Sequence, residues 1–141
     1  MKKLAKWGWL LSFLLVALAQ PASAATAKTV PVKVTFVGAE LVDNDHVGNE
    51  WYTVAYVNGK AIREGATVTL KLKPTASIQL KAYAEEQDKV PDQAAKTASV
   101  TVSSLTAKGT TKSLTVTVVE NRGRYSGHKA NWKFTFKMSK S

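Results

Sequence analysis

The chain contains no cysteine. Disulfides, thiolate zinc sites, cysteine nucleophiles and a lipidated N-terminal cysteine are all excluded, so stability must come from packing or from a bound ion. Also missing are a G-x-S-x-G turn for a hydrolytic serine, a glycine-rich phosphate cradle and the ligand spacing of an EF-hand loop. Histidine is limited to His46 and His128. Acids are few: 10 Asp and Glu stand against 20 Lys and Arg, a formal charge of +10. The C-terminal KMSKS carries no hydrophobic anchor. Beyond Ala25 no window reads as a real helix, with PDQAAK (residues 91–96) offering one turn at most.

The N-terminus has the composition of an export signal. Lys2, Lys3 and Lys6 form a positive segment, Trp7 to Ala19 is apolar but too short to span a bilayer, and Ala22-Ser23-Ala24 fits a cleavage site. Residues 1–24 are therefore expected to be a signal peptide, and residues 25–141 a single secreted, extracellular domain. Removing 24 of 141 residues leaves 117, with 17 basic and 10 acidic side chains and a charge of +7. A basic exported domain is suited to an anionic cell-wall polymer or membrane surface, with nucleic acid less suited; a monomer is the default.

The mature sequence alternates with period two. Val32, Val34 and Phe36 interleave with Lys33 and Thr35; Val68, Leu70 and Leu72 with Thr69 and Lys71; Ile78, Leu80 and Ala82 with Gln79 and Lys81. Val100 and Val102, then Leu114, Val116 and Val118, then Trp132, Phe134, Phe136 and Met138 continue the pattern. Each run is a strand with one wet face. Turn signals at Asn58-Gly59, Glu64-Gly65, Lys73-Pro74 and Lys108-Gly109 separate them. The pattern predicts an all-β antiparallel sandwich of seven or eight strands, with a barrel as the competing architecture. Strands are expected over residues 30–37, 51–57, 60–63, 66–73, 77–85, 97–104, 112–120 and 131–138. Trp51, Trp132, Phe134 and Phe136 belong to the core. Outward Lys33, Lys71, Lys73, Lys81, Lys133 and Lys137 keep strand edges from aggregating and can meet an anionic surface.

Three connections exceed what a hairpin needs: Gly38 to Glu50, Glu85 to Lys96, and Glu120 to Asn131. If the short 60–63 strand forms, all three follow strands of the same direction and share one end of the sandwich. Nine of the ten acids border these loops, Glu64 being the exception. Carboxylates gathered together repel, and need lysine or arginine, water or a cation as relief. Calcium, which takes about six to eight oxygens, matches Asp43, Asn44, Asp45, Glu86, Asp88, Asp92 and Asn121. The alternative is neutralisation by Lys89, Arg122, Arg124 and Lys129.

An eight-stranded sandwich with acidic loops at one end resembles the C2-type calcium-binding modules. The resemblance implies loop carboxylates at Asp43, Asp45 and Asp88 holding calcium that engages anionic lipid. The third loop, ENRGRYSGHKAN, departs by being basic. There Arg122, Arg124, Tyr125, His128 and Lys129 are candidate ligand-binding groups, with arginine and lysine for phosphate or carboxylate and tyrosine for stacking. Pairing of Arg122 and Arg124 with the acids of the other loops is the simpler expectation. His46 and His128 lie in the first and third loops, and with one carboxylate they make three ligands of an open zinc site. Ser126, His128 and a loop aspartate form a hydrolytic triad only on paper.

The expected function is non-enzymatic: a secreted binding module, calcium-dependent at its loop end, docking to anionic envelope polymers or lipid. A secreted inhibitor or toxin-like protein that binds a protein target, and a small zinc-dependent hydrolase, are the alternatives.

Overall fold

The computed structural model describes residues 28–141, so the expected signal peptide lies outside the described residues. Eight strands are formed: β1 Val30–Asn44, β2 Trp51–Val57, β3 Lys60–Ile62, β4 Thr67–Leu72, β5 Ser77–Glu86, β6 Asp92–Thr101, β7 Thr110–Val119 and β8 Lys129–Lys140. They make two four-stranded antiparallel sheets, ordered β4-β1-β8-β7 and β3-β2-β5-β6, that do not close into a barrel.

The period-two alternation decides which side chains lie between the sheets. Val32, Val34 and Phe36 of β1, Ile78, Leu80, Ala82 and Ala84 of β5, Leu114, Val116 and Val118 of β7, and Phe134, Phe136 and Met138 of β8 are buried together. Phe36 stacks on Phe134 with ring centres 5.8 Å apart, and meets Phe136 at 5.3 Å. Trp51 and Trp132 are only half-buried and meet edge to face at 5.5 Å. The expected outward lysines Lys33, Lys71, Lys73, Lys81, Lys133 and Lys137 are all exposed.

The Asn58-Gly59 signal makes the two-residue hairpin between β2 and β3, with φ of 48° and 79°, the paired left-handed conformation that such a tight turn demands. Several expected boundaries move, three of them with consequences for the alternation. β1 continues to Asn44 through register shifts at Phe36/Gly38 and Leu41/Asp43, which break the alternation while the chain stays paired with β8. β6 begins at Asp92, so PDQAAK supplies strand rather than a helical turn. Residues Val102–Ser104 close a 3-10 turn instead of extending a strand.

The strand directions set the two poles. Asn44 ends β1, Glu86 ends β5 and Val119 ends β7, where Trp51, Asp92 and Lys129 begin β2, β6 and β8. At the other pole β1 starts and β8 ends, tied by the Ser141 amide donating to Pro31 O at 3.1 Å.

Candidate functional site

The three connections 45–50, 87–91 and 120–128 meet at one pole as a rim. Backbone hydrogen bonds tie the rim together: Asp45 N donates to Lys129 O of β8 at 3.0 Å, Gln87 N of the second loop to Glu50 O of the first at 2.6 Å, and Glu120 N to His128 O within the third at 2.9 Å. The first loop is held from within. The Asn44 side chain donates to Gly48 O at 2.6 Å and accepts from Val47 N at 3.0 Å, while Val47 itself is buried in the core. Trp51 Nε1 also donates to Gly48 O, at 3.3 Å.

Two polar clusters occupy the rim. The first is built on β5 and β6. Glu86 follows Ile78, Leu80, Ala82 and Ala84 in the inward phase of β5, and Asp92 stands directly opposite it on β6. Both are buried, at 5% and 4% exposure. Asp92 is satisfied: Asn121 Nδ2 donates to Oδ1 at 2.7 Å and Asn121 N to Oδ2 at 3.4 Å. Glu86 is not, because its buried Oε2 has no hydrogen-bond partner. Burial first, and then the neighbouring carboxylates of Asp88, Glu120, Asp92 and Glu50, push the Glu86 carboxyl above its ordinary 4.5. Gly48, at φ +124°, makes room for this carboxylate, since a Cβ there would collide with it.

The second cluster lies across the first and third loops. His46 Nδ1 is 2.8 Å from Asp45 Oδ1 and His128 Nδ1 is 3.0 Å from Asp45 Oδ2. His128 Nδ1, although close to that carboxylate, is buried and has no hydrogen-bond partner. The hydrogen bond from His46, and next the contact from His128, hold the Asp45 carboxyl below its usual 3.8. Tyr125 stacks on the His46 ring at 4.7 Å and 13°, and meets His128 edge-on at 5.5 Å.

The residues expected to hold calcium fall into separate arrangements. Oxygens sharing one calcium at about 2.4 Å lie within about 4.8 Å of one another. Among the carboxylates and histidines of the described residues, only Asp45, His46 and His128 bring one ligand atom each within 4.8 Å as a set of three. Asp43 is exposed on β1 opposite Asn131, Asn44 is engaged within its loop, and Asp45 faces the two imidazoles. Asp88 accepts from Val90 N at 2.7 Å in a turn of its own, and Glu86, Asp92 and Asn121 remain together. The seven expected ligands therefore do not converge on one point: local hydrogen bonds claim Asn44, Asp45 and Asp88, while Glu86, Asp92 and Asn121 form a group of their own.

The expected neutralisation by arginine and lysine also gives way. Among the described residues no lysine or arginine nitrogen lies within 4.0 Å of a carboxylate; both close pairs involve Asp45 with histidine. Arg122, Arg124 and Lys129 are exposed on the third loop and the start of β8, with Tyr125 38% exposed beside them. The Arg122 amide accounts for Glu120, donating to Oε1 at 3.1 Å, but the guanidinium takes no part. Ser126 sits between the Gly123–Tyr125 turn and Gly127, its amide donating to Gly123 O at 3.3 Å.

Sequence reasoning missed one feature. Tyr52, Tyr56 and Tyr83 occupy the outward phase of β2 and β5, with Tyr52 and Tyr83 edge to face at 6.2 Å and Lys81 Nζ 5.5 Å from the Tyr56 ring. The Tyr83 hydroxyl donates to Glu85, which pushes it up to about 12. Their phase relative to buried Ala55 and Val57 was the available signal.

Compared with known proteins, the chain matches no family model and no curated protein.

Proposed function

We propose that this protein is an extracellular, non-enzymatic binding module whose loop rim is its working surface. Calcium at the Glu86–Asp92 cluster supports the rim, and Arg122, Arg124 and Lys129 engage an anionic envelope polymer or lipid headgroup. One observation carries the reading: a buried carboxylate oxygen on Glu86 has no partner, feels the like charges of Asp88, Glu120, Asp92 and Glu50, and has no lysine or arginine near enough to neutralise it. A charge so placed is relieved by a proton or by a cation. The carboxylates of Glu86 and Asp92 and the side-chain oxygen of Asn121 are hard donors of the kind calcium takes, with water and backbone carbonyls filling the remaining positions. The unpaired cations of the third loop then stand beside the ion rather than against the acids.

The test is thermal melting under calcium titration. A site of this kind raises the midpoint, with stabilisation reaching about 2.7 kcal/mol at a hundredfold excess over Kd. The gain should vanish in Glu86→Gln. Co-sedimentation with vesicles containing anionic lipid, with and without calcium, reads the docking step. A midpoint that ignores millimolar calcium removes the ion from this reading, and equal binding to neutral vesicles removes the anionic partner.

A further inference from the structure

We propose that Asp45, His46 and His128 form a second, independent metal site that takes a borderline divalent ion of zinc type and leaves at least one coordination position open. The donor set is the first argument. Two imidazoles and one carboxylate suit zinc and its late first-row neighbours, whereas calcium and magnesium prefer oxygen alone. Geometry is the second. Zinc bonds of about 2.0–2.1 Å place tetrahedral ligands roughly 3.3 Å apart. The two nitrogen–oxygen distances here are 2.8 and 3.0 Å, and all three ligand atoms lie within 4.8 Å. An ion entering between them takes the place of the His46–Asp45 hydrogen bond and gives His128 Nδ1 a partner.

The positions are also held for the purpose. His46 adopts φ 59°, a left-handed conformation uncommon for residues with a side chain but one in which histidine, like asparagine and aspartate, is enriched, and it is held there between Asp45, tied to Lys129 O, and buried Val47. Tyr125 packs flat on its ring. His128 is fixed by its amide donating to Tyr125 O at 2.9 Å, and its Nδ1 is buried without a hydrogen-bond partner. That nitrogen gains a partner when a metal binds. Exposures of 61% for His46, 55% for Asp45 and 37% for His128 give the ion a path in and leave its outer face to water or to a ligand. The site therefore joins the first loop to the third, and it shares no residue with the Glu86–Asp92–Asn121 cluster.

Isothermal titration of the intact protein with Zn²⁺ at neutral pH tests it, alongside melting curves that establish folding of each variant. One Zn²⁺ per chain is expected. His46→Asn keeps a residue that tolerates the left-handed backbone and removes the imidazole; its Zn²⁺ affinity should fall by at least the roughly 10–100-fold that loss of an outer-shell partner alone costs. His128→Ala should fall similarly, Glu86→Gln should bind Zn²⁺ as the parent does, and millimolar Ca²⁺ should not displace the ion. The proposal is overturned if folded His46→Asn binds Zn²⁺ with parental affinity, if no stoichiometric binding occurs, or if Glu86→Gln is the variant that loses it.

Discussion

Glu86 shows how one residue sets the balance at the rim. Its carboxyl titrates above 4.5 in the folded protein because burial and four like charges disfavour ionisation. The folded state thus holds its proton to higher pH than the unfolded chain does. The corresponding stability is complete below about pH 4.5 and is lost as pH rises through the elevated value. Urea unfolding across pH 4 to 8 without calcium should therefore show stability declining as pH rises above about 4.5 and levelling once Glu86 is ionised in the folded state, and Glu86→Gln should flatten the decline and raise the midpoint at neutral pH. Gly48 is the complementary residue. Gly48→Ala puts a methyl group against the Glu86 carboxylate at a backbone angle of +124°, and should cost about 1–3 kcal/mol from backbone strain, with the collision in addition. Equilibrium denaturation reads it directly.

At the scale of the element, the loop between β1 and β2 depends on Asn44. Its side chain makes two hydrogen bonds across four residues, so Asn44→Ala leaves Val47 N to find another partner and Gly48 O with only the Trp51 Nε1 donor. The expected loss is about 1–3 kcal/mol, together with greater hydrogen exchange at residues 45–48 and a weaker Asp45–His46–His128 site. In the interior, Phe134→Ala should cost about 3–5 kcal/mol, because Phe36 and Phe136 close only partly on the space left behind. Strand identity was legible where alternation was unbroken, as at Val32-Val34-Phe36 and Leu114-Val116-Val118. It failed where β1 bulges at Val37–Gly38 and again near Val42, since each extra residue resets the phase although pairing with β8 persists. Asp92 was missed as a strand start because a charged residue near a proline reads as loop. The same phase argument, extended past Ala84, would have placed Glu86 inward; that carboxylate at the end of an apolar stripe was the clearest unread signal.

For the molecule as a whole, the short β3 strand decides the architecture of the site. By adding one reversal it brings all three long connections to a single pole, and that much followed from the order of the strands. What the order did not contain was the partition of the rim into two clusters, which arises from side-chain hydrogen bonds and from the left-handed turn at His46. Charge is likewise a property of the whole. Exposed lysines on both sheets and the free cations of the third loop give a net positive protein, so binding to an anionic surface should weaken steeply as salt rises and the screening length contracts from about 10 Å at 0.1 M. Co-sedimentation at 50 and 500 mM salt checks this, and the Arg122→Ala, Arg124→Ala double variant should lose much of that salt dependence.

The seam between Pro31 and Ser141 has a consequence for orientation. The start of the first strand and the end of the last lie side by side at the pole opposite His46 and Glu86. A support, carrier or fusion partner attached through Ser141 therefore grips the base of the domain, and the loop pole points away from it, free to meet whatever approaches.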